Sequence, residues 1–198
     1  MKIAAFGLVS LILTAPSVQA IEKPWYVSFG FSSFVENESS GVGEGIGIPL
    51  AIGRDINNLF GVEFQIDIAP SADEFSYVER IDADLFAQAT NYEVDSPGIF
   101  YTSLSGKYTR PLNNTFNLVL KVGLAYFDDW AEVSVETANG QTTTATVFND
   151  KGRISVFSAG VEFARDQNWN SPISLSFTHY FGSAHDASNF SVGLKFKW

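Results

Sequence analysis

The sequence has no cysteine and only two histidines. A disulfide framework and a thiolate metal site are therefore excluded, and two imidazoles cannot build a metal centre without help from carboxylates. Basic residues are scarce, with 12 Lys and Arg against 22 Asp and Glu and a formal net charge of −10. A chain of that sign repels phosphate backbones and bare anionic lipid, which argues against nucleic acid as a partner. After residue 20 no apolar run approaches the roughly 20 residues that a membrane helix needs.

What is present begins with "MKIAAFGLVSLILTAPSVQA". Lys2 supplies a short basic start, Ile3 to Ala15 form an apolar run, and Val18-Gln19-Ala20 fits a small-x-Ala cleavage site. The run is too short to span a bilayer, so residues 1–20 are expected to be a cleaved secretory signal peptide. The rival reading is a buried N-terminal helix of a cytosolic protein. Loss of Lys2 with the signal takes the formal charge from −10 to −11.

The rest, residues 21–198, is read as one all-β domain. Eight segments are expected to be strands: 24–35, 45–54, 59–69, 98–110, 115–127, 153–165, 172–182 and 189–198. Most alternate apolar and polar residues and have about the 9–11 residues of a tilted membrane strand. The second is the weakest, because Pro49 has no N–H for a ladder and Gly45, Gly47 and Gly53 favour no extended form.

The connections alternate strictly between short and long. The links 55–58, 111–114 and 166–171 are tight and rich in turn residues. The other four, 36–44, 70–97, 128–152 and 183–188, are expected to be the loops. They carry three, seven, five and one acidic side chains, sixteen of the chain's 22, and only Arg80 and Lys151 as basic ones. This layout fits an up-and-down antiparallel barrel of eight transmembrane strands, with short periplasmic turns and long external loops. A soluble lipocalin-like barrel is the rival, but it would turn the apolar face inward and need a polar exterior.

In the membrane reading the outward face carries Trp25, Val27, Phe29 and Phe31, then Phe60, Val62, Phe64, Ile66 and Ile68. In the fifth strand it carries Phe116, Leu118, Leu120, Val122, Leu124 and Tyr126. Trp25 and Trp198 at the turn end, with Tyr126 and Trp130 toward the loop end, suit aromatic girdles at the two interfaces. The inward face carries Glu63, Asp67, Lys107, Lys121, Glu162 and Lys195, with Lys197 at the rim. An eight-stranded barrel is just wide enough for side chains to fill, so these charges are expected to pair as a plug, Glu63 with Lys107 first. The alternative is a narrow ion or small-solute path through the same residues. Neither needs a cofactor.

The chain ends "NFSVGLKFKW", with Phe190, Val192, Leu194, Phe196 and Trp198 on one face. This ending and the loop layout resemble the small eight-stranded bacterial outer-membrane proteins: the OmpA transmembrane domain and the OmpX/Ail and opacity-type families. The resemblance covers the whole of 21–198 in layout, although many of these proteins end on Phe. It implies that the terminal strand is read by the barrel-assembly machinery, that the chain lies in the outer membrane, and that lipid and lipopolysaccharide surround it; a closed barrel has no need of a partner, so a monomer is expected. A host or matrix protein could then be met through the loops.

Lipid-modifying barrels supply a third possibility. The lipid A deacylase pattern, His-x-Ser-Asn with a later Glu, is not matched. Tyr180 and Phe181 follow His179, and "HDASN" at 185–189 holds its residues at a different spacing. The expected function is therefore a non-enzymatic surface protein with adhesion or envelope-integrity roles. Asn139-Gly140 between Thr- and Val-rich arms is a hairpin signal, so 128–152 is also a candidate for a protruding hairpin with an edge open to strand addition.

Overall fold

A computed structural model of the chain describes residues 23–35, 45–70, 87, 89–96, 98–164, 171–182 and 186–198, with the side chains of Val147 and Phe148 left aside. The expected signal peptide (1–20), the expected 36–44 loop and all or most of the 70–88, 165–170 and 183–185 segments lie outside these residues. Nine strands are present: β1 (Trp25–Val35), β2 (Gly45–Asp55), β3 (Phe60–Ala69), β4 (Ala89–Asp95), β5 (Ile99–Pro111), β6 (Phe116–Thr137), β7 (Thr142–Phe163), β8 (Ile173–Phe181) and β9 (Ala187–Lys197). No helix among the described residues is long and apolar enough to cross a membrane.

Eight strands pair antiparallel in the order β1-β2-β3-β5-β6-β7-β8-β9, and β9 pairs back onto β1. The stagger of that closure follows from the register. Trp25 lies opposite Arg54, and the same row continues through Val62, Gly106, Val122, Phe157, His179 and Ser188 to Val35. One circuit thus climbs from residue 25 to residue 35, a stagger of 35 − 25 = 10 residues. Stagger and tilt are linked, and eight strands closed in this way lean about 35–45° from the barrel axis.

The faces follow from alternation along the tilted strands. Val27, Phe29 and Phe31 on β1, Ile46 to Ile52 at every second place on β2, and Leu104, Val122 and Leu124 are exposed on the outside. Serine, glycine, ionised and tyrosine side chains point inward at the intervening positions. An apolar exterior of this extent, at Leu104 with 64% exposure and Val122 with 62%, is stable only against lipid. The lipocalin-like alternative is excluded by the same observation.

Local chemistry closes the short end twice in the same way. In "NNLF" Asn57 Oδ1 accepts the N–H groups of Leu59 and Phe60, both at 2.8 Å. In "NNTF" Asn113 Oδ1 accepts those of Thr115 and Phe116 at the same distance. Both hairpins are Asx turns, with the asparagine doing the work of a backbone carbonyl. Pro49 is accommodated in β2 because the ladder to β3 runs through it, whereas the partners to β1 skip Gly30 and Phe31. Its missing N–H therefore falls on an interrupted seam, and β2 keeps its full length.

Of the two readings of 128–152, loop and protruding hairpin, the hairpin is the one present: β6 and β7 run on past the barrel to the turn at Asn139-Gly140, where Gly140 (φ 71°) donates to the Thr137 carbonyl at 2.9 Å. At about 3.3 Å per residue, β6 rises roughly 30 Å beyond Asp128. The 70–97 segment contributes a strand that was not foreseen. β4 pairs with the raised half of β6, from Asp95 opposite Glu132 to Ala89 opposite Thr137. β4 and β5 lie on the same side of β6, separated by Gly98 at φ 90° and by one residue more than β6 spends between Glu132 and Asp128.

Replacing Leu104 by Arg, at mid-height on the lipid face, should lower the free energy of unfolding from lipid vesicles by about 2–4 kcal/mol. Ile56→Lys in the exposed first turn should change it by less than about 1 kcal/mol. Urea titration followed by tryptophan fluorescence measures both.

Candidate functional site

The candidate site is the lumen together with the sheet that stands over it. At the tight-turn end the lumen is organised around Tyr26, which is fully buried. Its hydroxyl donates to Glu63 Oε2 at 2.7 Å. Its ring lies between two ammonium groups, 4.2 Å from Lys107 Nζ and 4.4 Å from Lys195 Nζ. Cations against a desolvated ring are attracted by its quadrupole, so the aromatic serves as a third partner for charges that also hold carboxylates. A Cβ on Gly53 would stand 2.2 Å from the Tyr26 ring, and the ring fits because that position has none.

Four ion pairs surround this residue. Lys195 pairs with Glu162, and Lys107 pairs with Asp55. Lys197 reaches the other Asp55 oxygen at 3.2 Å, and Lys121 reaches Glu63 at 2.5 Å. The expected Glu63–Lys107 pair does not form. Lys107 lies opposite Lys121, and two like charges at opposed positions diverge. Lys107 passes over Gly61, which has no side chain and separates it from Asp55 in the same row. Lys121 leans the other way, to Glu63 and to Gln65 Oε1 at 3.3 Å.

Asp55 is the lumen charge that sequence reading missed, because "DINN" reads as a turn. The available signal was its parity with Gly47, Gly53 and the other inward residues of β2. With it the described residues bury five carboxylates at inward positions, Asp55, Glu63, Asp67, Asp129 and Glu162, against four lysines, Lys107, Lys121, Lys195 and Lys197.

Above this layer is a cavity of about 30 Å³, with Ser28, Ser158, Ser174 and Ser176 in its lining beside Lys121 and Glu63. It has room for only a few waters. The external half of the lumen has a different character. Tyr180 stacks on Tyr101 at 4.3 Å, and Phe34 stacks on Tyr101 at 6.5 Å. Ala69, Ile99, Ala125, Phe127, Ile154, Val156 and Ala187 complete a buried apolar cluster around them. Asp67 lies at the base of this cap and accepts hydrogen bonds from Tyr180 Oη and from Gln65 Nε2, the latter at 2.6 Å. No reading of the strands had placed an apolar cap here, because Phe34, Ile99, Tyr101 and Tyr180 sit at the inward parity otherwise held by polar residues.

The raised sheet β4-β6-β7 keeps two unlike faces. Val133 and Val135 are fully buried, whereas Glu136, Thr142, Thr144, Glu93 and Asp95 are exposed. On β7 the ladder to β8 stops at Ser155 opposite Phe181, so among the described residues no strand pairs with that edge from Thr142 to Ile154. One residue is added to β7 where Ala131 faces Phe148 and Glu132 faces Thr146, a bulge that turns the sheet at the barrel mouth. Asp128 and Lys151 form an exposed pair there at 3.0 Å, and the carboxylate holds the lysine above its ordinary pKa.

The structure brings one serine to a histidine. His179 Nδ1 lies 2.8 Å from Ser188 Oγ across the β8–β9 hairpin, on the lipid side, with its ring edge-on to Phe181 at 4.2 Å. Among the described residues no group of three or more His, Asp or Glu side chains comes together as a metal site. The terminal residues Phe190, Val192, Leu194, Phe196 and Trp198 all lie exposed on the outward face of β9 and its end. The Trp198 N–H donates to the Trp25 carbonyl at 3.0 Å, which ties the two ends of the chain's barrel together.

A family model described as "Outer membrane protein beta-barrel domain" matches residues 4–197. Solved structures share the fold. Ail, the attachment invasion locus protein of Yersinia pestis, is 16% identical at TM-score 0.55, over 90% of this chain and all of that one. Neisserial surface protein A is 15% identical at TM-score 0.55, over 88% of this chain and 97% of that one. The N-terminal barrel domain of Pseudomonas aeruginosa OprF is 10% identical at TM-score 0.54, over 89% and 98%. Ail has also been solved with the heparin analogue sucrose octasulfate, and that structure is 14% identical at TM-score 0.53 over 90% of this chain and all of that one. No curated protein sequence matches.

Lys195→Met should destabilise the barrel by about 3–5 kcal/mol, because it leaves Glu162 buried without its partner. Adding Glu162→Leu should recover most of that loss. Lys151→Met at the exposed pair should leave the unfolding midpoint in place. Heat-modifiable electrophoretic mobility and urea titration read all three.

Proposed function

The chain belongs to the outer membrane protein β-barrel domain family and lies in the bacterial outer membrane, and on that premise we propose a non-enzymatic surface protein whose working part is the raised sheet. The observation that carries the reading is the β7 edge from Thr142 to Asn149, with which among the described residues no further strand pairs, on a three-stranded sheet raised beyond the barrel ladder. Unpaired N–H and C=O groups along an exposed edge accept a strand from another chain.

The charge of that sheet selects the partner. Glu93, Asp95, Glu136 and Asp150 are exposed there, so an extended peptide bearing Lys or Arg is favoured over a polyanion. The heparin analogue bound by Ail is therefore not carried over to this chain. The lumen serves as a filled support: ion pairs specify the register at one end, and stacked aromatic rings close the other. The His179–Ser188 contact is read as a satisfied hydroxyl at the lipid boundary, since among the described residues no third group hydrogen-bonds the imidazole to orient it as a base. Phe190 to Trp198 act as the address for barrel assembly, and residues 1–20 as the export signal.

A narrow channel is the second reading, favoured by the serine-lined cavity between the two plugs. Planar-bilayer conductance of the refolded protein separates the two. A silent barrel, unchanged in Lys121→Ala and Glu63→Ala, is the expected result. Steady openings whose ion preference shifts with those substitutions would replace the surface reading with the channel one. Shortening the hairpin by removing 132–146 should leave a folded barrel that has lost binding to basic extended peptides, measured by surface plasmon resonance. Retained binding would refute the β7 edge as the site.

A further inference from the structure

We infer that the lumen holds a small monovalent cation beneath its external cap, coordinated by Asp67, Asn189, Ser32 and Tyr101. The first observation is a charge without its counterpart. Asp55, Glu63 and Glu162 each have lysine partners, whereas among the described residues no ammonium lies at ion-pair distance from Asp67. Its Oδ2 accepts two hydrogen bonds, and its Oδ1 is buried with no hydrogen-bond partner. A carboxylate held in a narrow apolar surround demands a compensating charge.

The second observation is independent of Asp67. The Ser32 hydroxyl, the Tyr101 hydroxyl and both polar atoms of the Asn189 amide are also buried without hydrogen-bond partners. All three side chains are at most 2% exposed. Buried polar groups left in this way are rare in folded proteins, and several together point to a ligand.

The register brings the four groups to one level. Tyr101 lies opposite Asp67, and Asn189 lies opposite both Phe34 and Thr178. Ser32 and Phe34 are successive inward positions on β1, and Tyr180 follows Thr178 on β8. Tyr180 bonds Asp67 and stacks on Tyr101, and Phe34 stacks on the same ring. With ten residues of climb per circuit, these positions fall at nearly one height around a lumen that is only a few side chains wide.

The donor set decides the class of ligand. Asp67 Oδ1, Asn189 Oδ1, Ser32 Oγ and Tyr101 Oη are all hard oxygens, which suit alkali and alkaline-earth ions rather than zinc or copper. Only one of them carries a formal charge, so one positive charge balances the site. The cap above it makes the ion a trapped component of the folded barrel, taken up during refolding.

The test uses the mature barrel refolded in sodium chloride or in choline chloride at equal ionic strength, with sodium as the probe. Sodium-23 NMR of the sodium-refolded protein should show a saturable broadened component. Asp67→Asn should abolish it, and Asn189→Leu should weaken it, with both variants checked as folded by heat-modifiable mobility. Glu136→Gln, on the outer sheet, should leave it unchanged. The sodium-refolded wild type should also unfold at a higher temperature than the choline-refolded one, and Asp67→Asn should erase that difference. Broadening that persists in Asp67→Asn would overturn the assignment. So would equal unfolding temperatures in the two salts, or an infrared band of protonated carboxyl in the wild type that Asp67→Asn removes and sodium does not change.

Discussion

Within hydrocarbon no backbone N–H or C=O can be left to solvent, and this constraint shapes everything else in the molecule. A sheet meets it only by closing on itself, so β9 must return to β1 and β6 must meet β7. The ten-residue stagger sets the strand tilt, which in turn sets the width of the lumen and the level at which each inward side chain arrives. Asp55 meets Lys107, and Tyr180 meets Asp67, because of where that stagger places them and not because of their distance along the chain.

Closure creates a second problem, since a lumen this narrow must be filled. The chain fills its two halves by different means. Near the periplasm Tyr26 and four ion pairs share a small volume, with Gly53 and Gly61 leaving room for the ring and the lysine stems. Near the exterior, aromatic stacking and small apolar side chains exclude water. Paired charges require complementary geometry and therefore discriminate strongly between registers, whereas apolar contacts tolerate small shifts. The ionic half is thus the part of the lumen suited to specifying register.

Outside the membrane the constraint relaxes, and the protein uses that freedom. β6 and β7 carry on into water with β4 added at their side, and there, among the described residues, no strand pairs with β7 beyond Ser155. The same edge inside hydrocarbon would be untenable. The acidic bias of the exterior keeps the open edge away from like-charged surfaces, and inward-facing Val133 and Val135 keep the sheet's apolar face covered.

The sequence by itself determined the class of fold, the number of barrel strands, the outward faces and the end at which the tight turns lie. Period-two alternation and turn chemistry are local, and lipid rewards the alternation directly, so Phe29, Leu124 or Phe196 could be placed without knowledge of any neighbour. What the sequence left open depends on register. Whether Lys107 would take Glu63 or Asp55, whether 128–152 would be loop or strand, and whether Ala89 to Asp95 would find β6 all rest on contacts between residues far apart in the chain. Tyr26 was legible only as an aromatic near a strand start. Closure with a stagger of ten residues placed it between two lysines and made it the centre of the lumen, because only the closed barrel fixes which distant strands face one another across it.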